Sequence, residues 1–339
     1  MAESSTGKRY LIVGPSWVGD MVMAQSLFKT LKAVEPDAVI DVIAPGWSVP
    51  IIERMPEVRR GIGLPVGHGE FNLAKRREIG RGLVDEHYDH ALVLPRSFKS
   101  ALVPWFAKAR VRTGYRGEMR FGLLNDIRPL DKSVLDQTVK RFVALGLPKG
   151  ELPQAIPQPQ LRIDTANQQR LIDKHELDMT RPIVAMMPGA SYGPAKCWPL
   201  EYFAELAARL CEQDIGVWVL GSKGDKEAGE TIALANMDVR NLCGRTELED
   251  TVDLLALSTT AVTNDSGLMH VAAAAGIHVI AMYGSSTPAY TPALTEKKTI
   301  HYLDLECSPC FKRECPLEHL NCLRDIRVDD VLGSVNSVL

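Results

Sequence analysis

The sequence lacks several features that would assign a chain to a class at once. Its 39 Lys and Arg residues are balanced by 42 Asp and Glu residues, a net charge of −3, so the whole chain lacks the basic charge of a general nucleic-acid binder. Its longest stretch without a charged side chain, residues 266–295, is interrupted by Gly, Ser, Pro and His, whereas a membrane span needs about 20 predominantly apolar residues. The apolar run at residues 10–13 is too short for a signal peptide. These absences predict a cytoplasmic protein.

Composition and length are those of an ordinary globular protein of two domains. Hydrophobic residues make up 45% of the chain and charged residues 24%, which excludes disorder, collagen-like repeats and coiled coil. A length of 339 residues is enough for two sizeable cores.

Short apolar runs alternate with helix-length amphipathic segments in both halves, as in parallel βαβ units. The predicted strands are residues 10–14, 39–44, 61–64, 90–94, 111–113, 183–187, 216–220, 239–242, 261–263 and 279–283. Four prolines between residues 146 and 160 interrupt this pattern and predict a linker. We therefore predict an α/β protein with two doubly wound, Rossmann-like domains that face a cleft. Their bounds are residues 1–146, a linker over 147–165, residues 166–327 and a closing helix over 328–339.

A glycine-spaced loop, GPSWVGD at residues 14–20, follows the first predicted strand. Gly14 and Gly19 have the spacing of a P-loop, but Asp20 stands where that motif has Lys, and its carboxylate would repel a polyphosphate. The loop also lacks the G-x-G-x-x-G pattern of dinucleotide-binding domains. Two interpretations of Asp20 stay open: a carboxylate that complements the helix dipole, or a general base aimed into the cleft.

Three loops that follow predicted strands of the second half favour an anionic ligand. Residues 188–199 deliver Lys196, residues 221–227 are rich in small and charged side chains, and Ser266 and Gly267 open a helix whose backbone N–H groups can bind an anion. Each feature alone also fits an ordinary N-cap or a solvated lysine, and His270 fits either a buried histidine or a donor to a ligand oxygen. Together the three loops predict an anionic, nucleotide-linked ligand on the second domain.

The chain contains no Asp-x-Asp triplet and no His-Glu-x-x-His or His-x-Glu…Cys-x-x-Cys pattern. Nothing in the sequence therefore indicates a catalytic metal. Charge on a leaving group would instead be met by Lys196 and by helix N-termini.

Five segments carry a resemblance to a known family: GPSWVGDM at 14–21, PRSFKSALVP at 95–104, RTGYRGEMR at 112–120, GPAKCWP at 193–199 and TNDSGLMH at 263–270. They resemble the ADP-heptose–lipopolysaccharide heptosyltransferases, most closely the branch that adds the second heptose of the inner core, and the resemblance covers nearly the whole chain in matching order. It implies a GT-B fold and an inverting, metal-independent transfer of L-glycero-D-manno-heptose from ADP-heptose to the first inner-core heptose. The partners it implies are that donor and a lipopolysaccharide acceptor at the cytoplasmic membrane face, without nucleic acid and with no catalytic cofactor. Such an acceptor leaves two locations open for a cytoplasmic chain: free in the cytoplasm or peripheral to the inner membrane.

The same resemblance implies roles for individual residues. Asp20 would be the catalytic base that takes the proton of the acceptor hydroxyl, and Lys196 would neutralise the donor diphosphate. The predicted donor-binding residues are Ser191, Asp225, Thr246, Asp265, Ser266, Gly267 and His270. Glu227 lies close enough to Asp225 in sequence that either could be the acidic residue that meets the donor.

The segment from Arg59 to Arg120 is strongly basic, with 13 Lys and Arg residues against 6 Asp and Glu, or a net charge of +7, which leaves −10 for the rest of the chain. A charge run is usually a solvated surface, but a field of one sign also attracts a phosphorylated, carboxylated lipopolysaccharide. The predicted acceptor-binding residues are Arg96, Lys99, Arg116 and Arg120.

Four of the seven cysteines, Cys307, Cys310, Cys315 and Cys322, fall within 16 residues. Most cysteines of a cytoplasmic chain are reduced, and such a density predicts a structural metal site of zinc or iron–sulfur type. Four thiolates favour zinc, and His319 could replace one of them. The alternative is a surface loop of reduced or oxidation-prone cysteines.

Two other functions stay open beside the heptosyltransferase. One is a transferase of the same fold with another nucleotide-sugar or acceptor, and the other is a nucleotide-binding protein without turnover. Asp20 argues against the second, because a binding protein has no use for a carboxylate that faces a polyanion.

Overall fold

The apolar runs form parallel strands, and those in the middle of each sheet are buried on both faces, as their apolar composition requires. The structure, a computed structural model, describes residues 7–67 and 69–339. These residues divide into two compact units, one ending at Pro159 and the other beginning at Gln160. The division falls within the segment predicted as a linker.

The first unit alternates strands and helices along the chain. Its elements are β1 (Arg9–Val13), α1 (Val18–Val34), β2 (Val39–Pro45), α2 (Val49–Glu53), β3 (Arg60–Leu64), α3 (Leu73–Gly82), β4 (His90–Val93), α4 (Leu102–Phe106), β5 (Val111–Tyr115), β6 (Asp126–Arg128) and α5 (Thr138–Gly146). Within the described residues the strands form one six-stranded sheet of order β3-β2-β1-β4-β5-β6, and every neighbouring pair is parallel. The order reverses between β1 and β4, so the chain leaves β1 at the switch point of a doubly wound sheet.

The second unit repeats this plan. Its elements are α6 (Thr165–His175), β7 (Ile183–Met187), α7 (Leu200–Cys211), β8 (Gly216–Val219), α8 (Lys226–Ala233), β9 (Val239–Asn241), α9 (Leu248–Leu257), β10 (Thr260–Asn264), α10 (Gly267–Ala274), β11 (His278–Tyr283), β12 (Lys298–Tyr302), α11 (Asn321–Arg324) and α12 (Val328–Asn336). The sheet order is β12-β11-β10-β7-β8-β9, again parallel throughout. Its switch point lies between β7 and β10.

Each unit buries its own apolar core. In the first, side chains of β1, β4 and α4 pack around Leu11, Val93 and Val103. In the second, Trp198 and Phe203 pack with strand residues and with α12. The prediction of a doubly wound α/β fold is thus confirmed for each unit. No helix among the described residues is both long enough and apolar enough to cross a membrane.

The sequence prediction misses two strands, β6 and β12. Both lie at the outer edge of their sheets, and both carry charged and partly exposed residues. An edge strand does not need the continuous apolar run that identifies a central parallel strand. The helical segment after β4 begins as a 3-10 turn at Phe98–Ala101 and becomes α-helical in α4.

Candidate active site

In the second unit, the loops that follow β7 and β10 meet at the switch point. Thr263 pairs with Met187 at the ends of these neighbouring strands, so both loops leave the same edge of the sheet. They bring together two predicted site residues that lie far apart in sequence: the Lys196 Nζ is 2.5 Å from the Asp265 Oδ2. Ligands of doubly wound sheets bind at this place.

Several groups hold the Asp265 carboxylate in place. It is 3% exposed; besides Lys196, the Ser286 hydroxyl donates a hydrogen bond to the same oxygen, and the Thr291 hydroxyl donates to the Oδ1 at 3.4 Å. The Lys196 ammonium also lies 5.3 Å from the centre of the Tyr192 ring, an attractive cation–π contact. A buried carboxylate therefore orients a cation that stays partly accessible, with 17% of its side chain exposed.

Asn264 fixes both ends of the loop that carries Lys196. Its Oδ1 accepts a hydrogen bond from the Trp198 backbone N–H at 2.8 Å, and its Nδ2 donates to the Pro188 carbonyl at 2.6 Å. Sequence reasoning missed this positioning residue. The signal available was its place at the end of a buried strand, directly before Asp265.

His270 is buried in the first turns of α10. Burial is the main cause that lowers its pKa to about 4; the Asp265 carboxylate opposes this shift, and the nearby Lys196 charge contributes to it. The imidazole is therefore neutral at pH 7. This position fits the buried histidine that the sequence left open, and a contact from His270 to the donor stays a prediction.

Two hydroxyls predicted to bind the donor are buried without a hydrogen-bond partner among the described residues: Ser266 Oγ and Thr246 Oγ1. Ser266 has extended backbone and is the N-cap of α10, of which Gly267 is the first residue. Thr246 stands just before the N-cap of α9, Glu247. A buried polar group without a partner is costly, so both positions suit a ligand that supplies the missing hydrogen bond.

Asp225 and Glu227 differ in surroundings. Asp225 accepts hydrogen bonds from the Ser222 backbone N–H and hydroxyl at 2.8 Å and 2.7 Å, which closes a capping box ahead of α8. Its carboxylate also touches the loop after β7, since a Cβ added to Gly189 would lie 2.2 Å from Asp225 Oδ1. Glu227 is exposed, and so is Ser191 in the β7 loop. Of the two acids, Asp225 is the one that contacts the Lys196-bearing loop.

In the first unit, Asp20 occupies the first turn of α1, just after the switch-point strand β1. Its side chain is half-buried. The preceding N-cap, Trp17, makes no side-chain cap hydrogen bond, and the Trp47 indole N–H donates to the Ser16 carbonyl at 3.2 Å. A carboxylate in this position is favoured by the helix dipole and lies at the edge where ligands bind, so the structure is compatible with both interpretations of Asp20.

The predicted acceptor residues separate into two kinds. Arg96 and Arg116 are exposed and Lys99 is half-buried, in the segments that follow β4 and β5. These three side chains stay candidates for acceptor binding.

Arg120 requires a correction. Only 1% of it is exposed, and its guanidinium donates hydrogen bonds to the Pro95 carbonyl at 2.7 Å, to the Ser100 hydroxyl at 3.3 Å and to the Tyr115 carbonyl. Burial lowers its pKa. Arg120 therefore connects the loops after β4 and β5, because it supplies hydrogen-bond donors to backbone carbonyls at these strand ends. Its buried guanidinium is not exposed to an acceptor.

The predicted zinc site also requires a correction. Cys307, Cys310, Cys315 and Cys322 are free thiols that line one small pocket together with His319, yet among residues 7–67 and 69–339 no three His, Cys, Asp or Glu side chains form a group that could hold a metal ion. Cys322 is buried against the core of the second unit, and burial, followed by the three neighbouring thiols, raises its pKa to about 11.

Three comparisons extend these observations. A model of glycosyltransferase family 9 (heptosyltransferase) matches residues 76–321. The chain is 44% identical to lipopolysaccharide heptosyltransferase 2 of Escherichia coli K12 over 98% of both chains. It is 46% identical to lipooligosaccharide heptosyltransferase 2 of Haemophilus influenzae over 86% of this chain and 87% of that one. The solved structure of E. coli ADP-heptose lipopolysaccharide heptosyltransferase II superposes with a TM-score of 0.87 at 42% identity, covering 97% of this chain and 98% of that one. The match confirms the predicted GT-B-like fold class.

Proposed function

The chain belongs to glycosyltransferase family 9, the heptosyltransferases, and on that premise we propose that it transfers L-glycero-D-manno-heptose from ADP-heptose to the first heptose of the lipopolysaccharide inner core. The observation that carries the proposal is the pair formed by Lys196 and Asp265 at the switch point of the second unit. Close similarity to relatives named heptosyltransferase 2 supports the choice of sugar and of acceptor.

The second unit is the donor-binding unit in this proposal. The Lys196 ammonium would meet the diphosphate, where its charge counts most because negative charge grows on the departing ADP. The N-terminus of α10 adds backbone N–H groups beside it. The buried hydroxyls of Ser266 and Thr246, which have no partner in the described part of the chain, would donate to donor oxygens.

Asp20 is the catalytic base of the proposed transfer. The acceptor hydroxyl oxygen attacks the anomeric carbon of heptose and forms the new glycosidic bond as the bond from that carbon to the ADP oxygen breaks. The hydroxyl proton passes to the Asp20 carboxylate, and ADP leaves with the bonding electron pair. Attack from the side opposite the leaving group inverts the anomeric configuration. To accept this proton, the Asp20 carboxylate must be in its ionised form.

Lys196 makes a divalent cation unnecessary in this mechanism. A metal-dependent transferase neutralises the leaving diphosphate with the ion, whereas here a protein cation oriented by Asp265 would do so. The proposed reaction therefore proceeds at the same rate with and without a chelator.

The acceptor is assigned to the first unit. Arg96 and Arg116 are exposed and Lys99 is half-buried at the same sheet edge that carries Asp20. Cations at this edge would bind the phosphate and carboxylate groups of an inner-core oligosaccharide.

Mass spectrometry of the reaction products tests the function directly. The full chain and ADP-heptose are mixed in two separate reactions, one with a lipopolysaccharide acceptor that has no heptose and one with an acceptor that has a single heptose. We expect one heptose to be added to the second acceptor only. Addition to the heptose-free acceptor would assign the chain to a different transfer step, and transfer only from another nucleotide-sugar would replace the proposed donor. Binding of ADP-heptose without turnover on either acceptor would identify a binding protein.

A further inference from the structure

An exposed surface of the first unit combines large apolar side chains with arginines. Four of its members, Phe71, Phe98, Met119 and Phe121, are 47%, 37%, 80% and 68% exposed, and the surface also includes the exposed arginines Arg96 and Arg116. We call these six residues the apolar–basic surface. All six lie in segments that follow β3, β4 and β5, and so emerge from one edge of the parallel sheet.

Two buried arginines and one pair of stacked rings connect these segments to one another. Arg76 donates to the Phe71 carbonyl at 2.6 Å and to the Lys99 carbonyl at 3.4 Å. The rings of Phe71 and Phe98 stack with their centroids 6.3 Å apart. Arg120 connects the segments after β4 and β5, as described above.

The loop after β5 is held against the loop after β4 by its backbone as well. The Phe98 backbone N–H donates to the Glu118 carboxylate at 2.5 Å, and the Glu118 N–H donates to the Arg96 carbonyl at 3.2 Å. A Cβ added to Gly117 would lie 2.3 Å from the same Arg96 carbonyl, so only glycine permits this approach. The apolar side chains are thus exposed on a backbone that is tightly hydrogen-bonded.

We propose that the apolar–basic surface docks the protein on a bilayer that contains anionic lipids. Aromatic and Met side chains beside arginines match the interfacial zone of a membrane, where rings enter the acyl boundary and guanidinium groups meet phosphates. The exposed guanidinium groups of Arg96 and Arg116 are complementary to an anionic leaflet, which attracts each nearby basic residue. This inference deepens the proposed function, on which it rests for its purpose: a lipid-linked acceptor is reached from the membrane surface.

Vesicle flotation of the full chain tests the docking. The vesicles contain phosphatidylcholine alone or phosphatidylcholine with phosphatidylglycerol, and no lipopolysaccharide, so that binding cannot come from the acceptor. We expect binding to the anionic vesicles only. The double variant Met119→Ser/Phe121→Ser should lower the partition coefficient more than about ten-fold, and Arg116→Glu should lower it about five-fold or more.

A matched control comes from the second unit, where Leu234 and Met237 are 87% and 91% exposed. The variant Leu234→Ser/Met237→Ser should float like the wild type. Equal loss in this control, equal binding to neutral vesicles, or no vesicle binding by the wild type would each overturn the proposal. The proposal would also be overturned if the wild type did not bind vesicles but formed a dimer that Met119→Ser/Phe121→Ser could not form. That result would assign the surface to self-association.

A transfer assay with a delipidated, water-soluble acceptor separates this inference from the proposed function. Met119→Ser/Phe121→Ser should keep wild-type turnover on that acceptor and lose turnover on acceptor embedded in vesicles. If the wild type floats but transfers no heptose, the docking surface stands and the proposed function fails. If it transfers heptose to the soluble acceptor but does not float, the reverse holds.

Discussion

The two units have the same strand order but opposite chemistry at their switch points. Beside β1, the first unit places the carboxylate of Asp20 in the first turn of a helix. Beside β7 and β10, the second unit places the ammonium of Lys196, held by buried Asp265, near the buried hydroxyl of Ser266. The fold therefore supplies an equivalent place in each unit, and a few side chains decide whether that place suits a base or a bound anion.

The charge of the first unit shows why residue counts alone mislead. Arg59 and Arg60 belong to its basic segment, but both bind Asp41, which is fully buried. Arg76 and Arg120 are buried donors to backbone carbonyls. Much of the net charge of +7 thus belongs to arginines that stabilise the fold. Only a few exposed cationic side chains remain to bind the proposed acceptor.

The largest expected effect concerns the base. We expect Asp20→Asn to lower kcat by about 10²–10⁴, because the amide cannot accept the acceptor proton, while the dissociation constant for ADP-heptose changes by no more than a few-fold. Initial rates and calorimetric titration with the donor measure both quantities. A variant that keeps more than a third of the wild-type kcat would show that Asp20 only complements the helix dipole, as a structural carboxylate would.

The cation of the second unit should affect both binding and rate. We expect Lys196→Ala to raise the KM for donor and to lower kcat by about 10²–10³, the loss typical of one preorganised charge-stabilising donor. Lys174→Ala, a change of an exposed lysine on α6, is the matched control and should leave both KM and kcat unchanged.

In the same assay EDTA should leave the wild-type rate unchanged; loss of activity that Mg²⁺ or Mn²⁺ restores would contradict the metal-independent mechanism.

A third experiment separates structural from exposed arginines in the first unit. Arg120→Ala should lower the free energy of unfolding by about 2–4 kcal/mol, because it leaves buried carbonyls and a hydroxyl without their donor. Arg116→Ala should change it by less than about 0.5 kcal/mol. Urea unfolding curves compare the two variants. A silent Arg120→Ala would restore Arg120 as a candidate for the acceptor.

The central architecture could be predicted from the sequence, since buried parallel strands such as β7 and β11 contain continuous apolar runs. The position of Lys196 beside Asp265 was less accessible, because 69 residues separate them and only the strand pairing brings their loops together. The edge strands β6 and β12 carry no apolar run. Burial of Arg120 could not be predicted either, because a guanidinium that binds backbone carbonyls has the same sequence signal as a solvated one. The close spacing of four cysteines in the sequence likewise gives no information on how deeply Cys322 is buried.

Acidification should destabilise the second unit through His270. Its folded pKa of about 4 lies below the unfolded value near 6.5, so the unfolded state binds the proton first as the pH falls. The stabilisation is complete above about pH 6.5 and is lost progressively toward pH 4. Between pH 7 and pH 5 this group should contribute a loss of about 1–2 kcal/mol. His270→Gln should flatten that part of the stability profile, whereas His319→Gln, at an exposed position, should not; identical profiles for all three proteins would show that another group controls the acid sensitivity.

The smallest expected effect belongs to an exposed cation of the first unit. Arg116→Ala should raise the KM for acceptor a few-fold, because one exposed charge in contact with a phosphate or carboxylate contributes modestly in water, and it should leave the KM for donor unchanged. The rate should also become less sensitive to salt, since the Debye length of about 10 Å at 0.1 M lets this charge act mainly on groups near the same surface. Arg240→Ala, at an exposed position of the second unit, provides the control for a change of net charge alone. Steady-state kinetics at about 50 and about 300 mM salt, with donor and acceptor varied separately, distinguish an effect on acceptor binding from an effect of net charge. A rise in the KM for donor alone would mean that acceptor and donor are not divided between the two units in the way proposed.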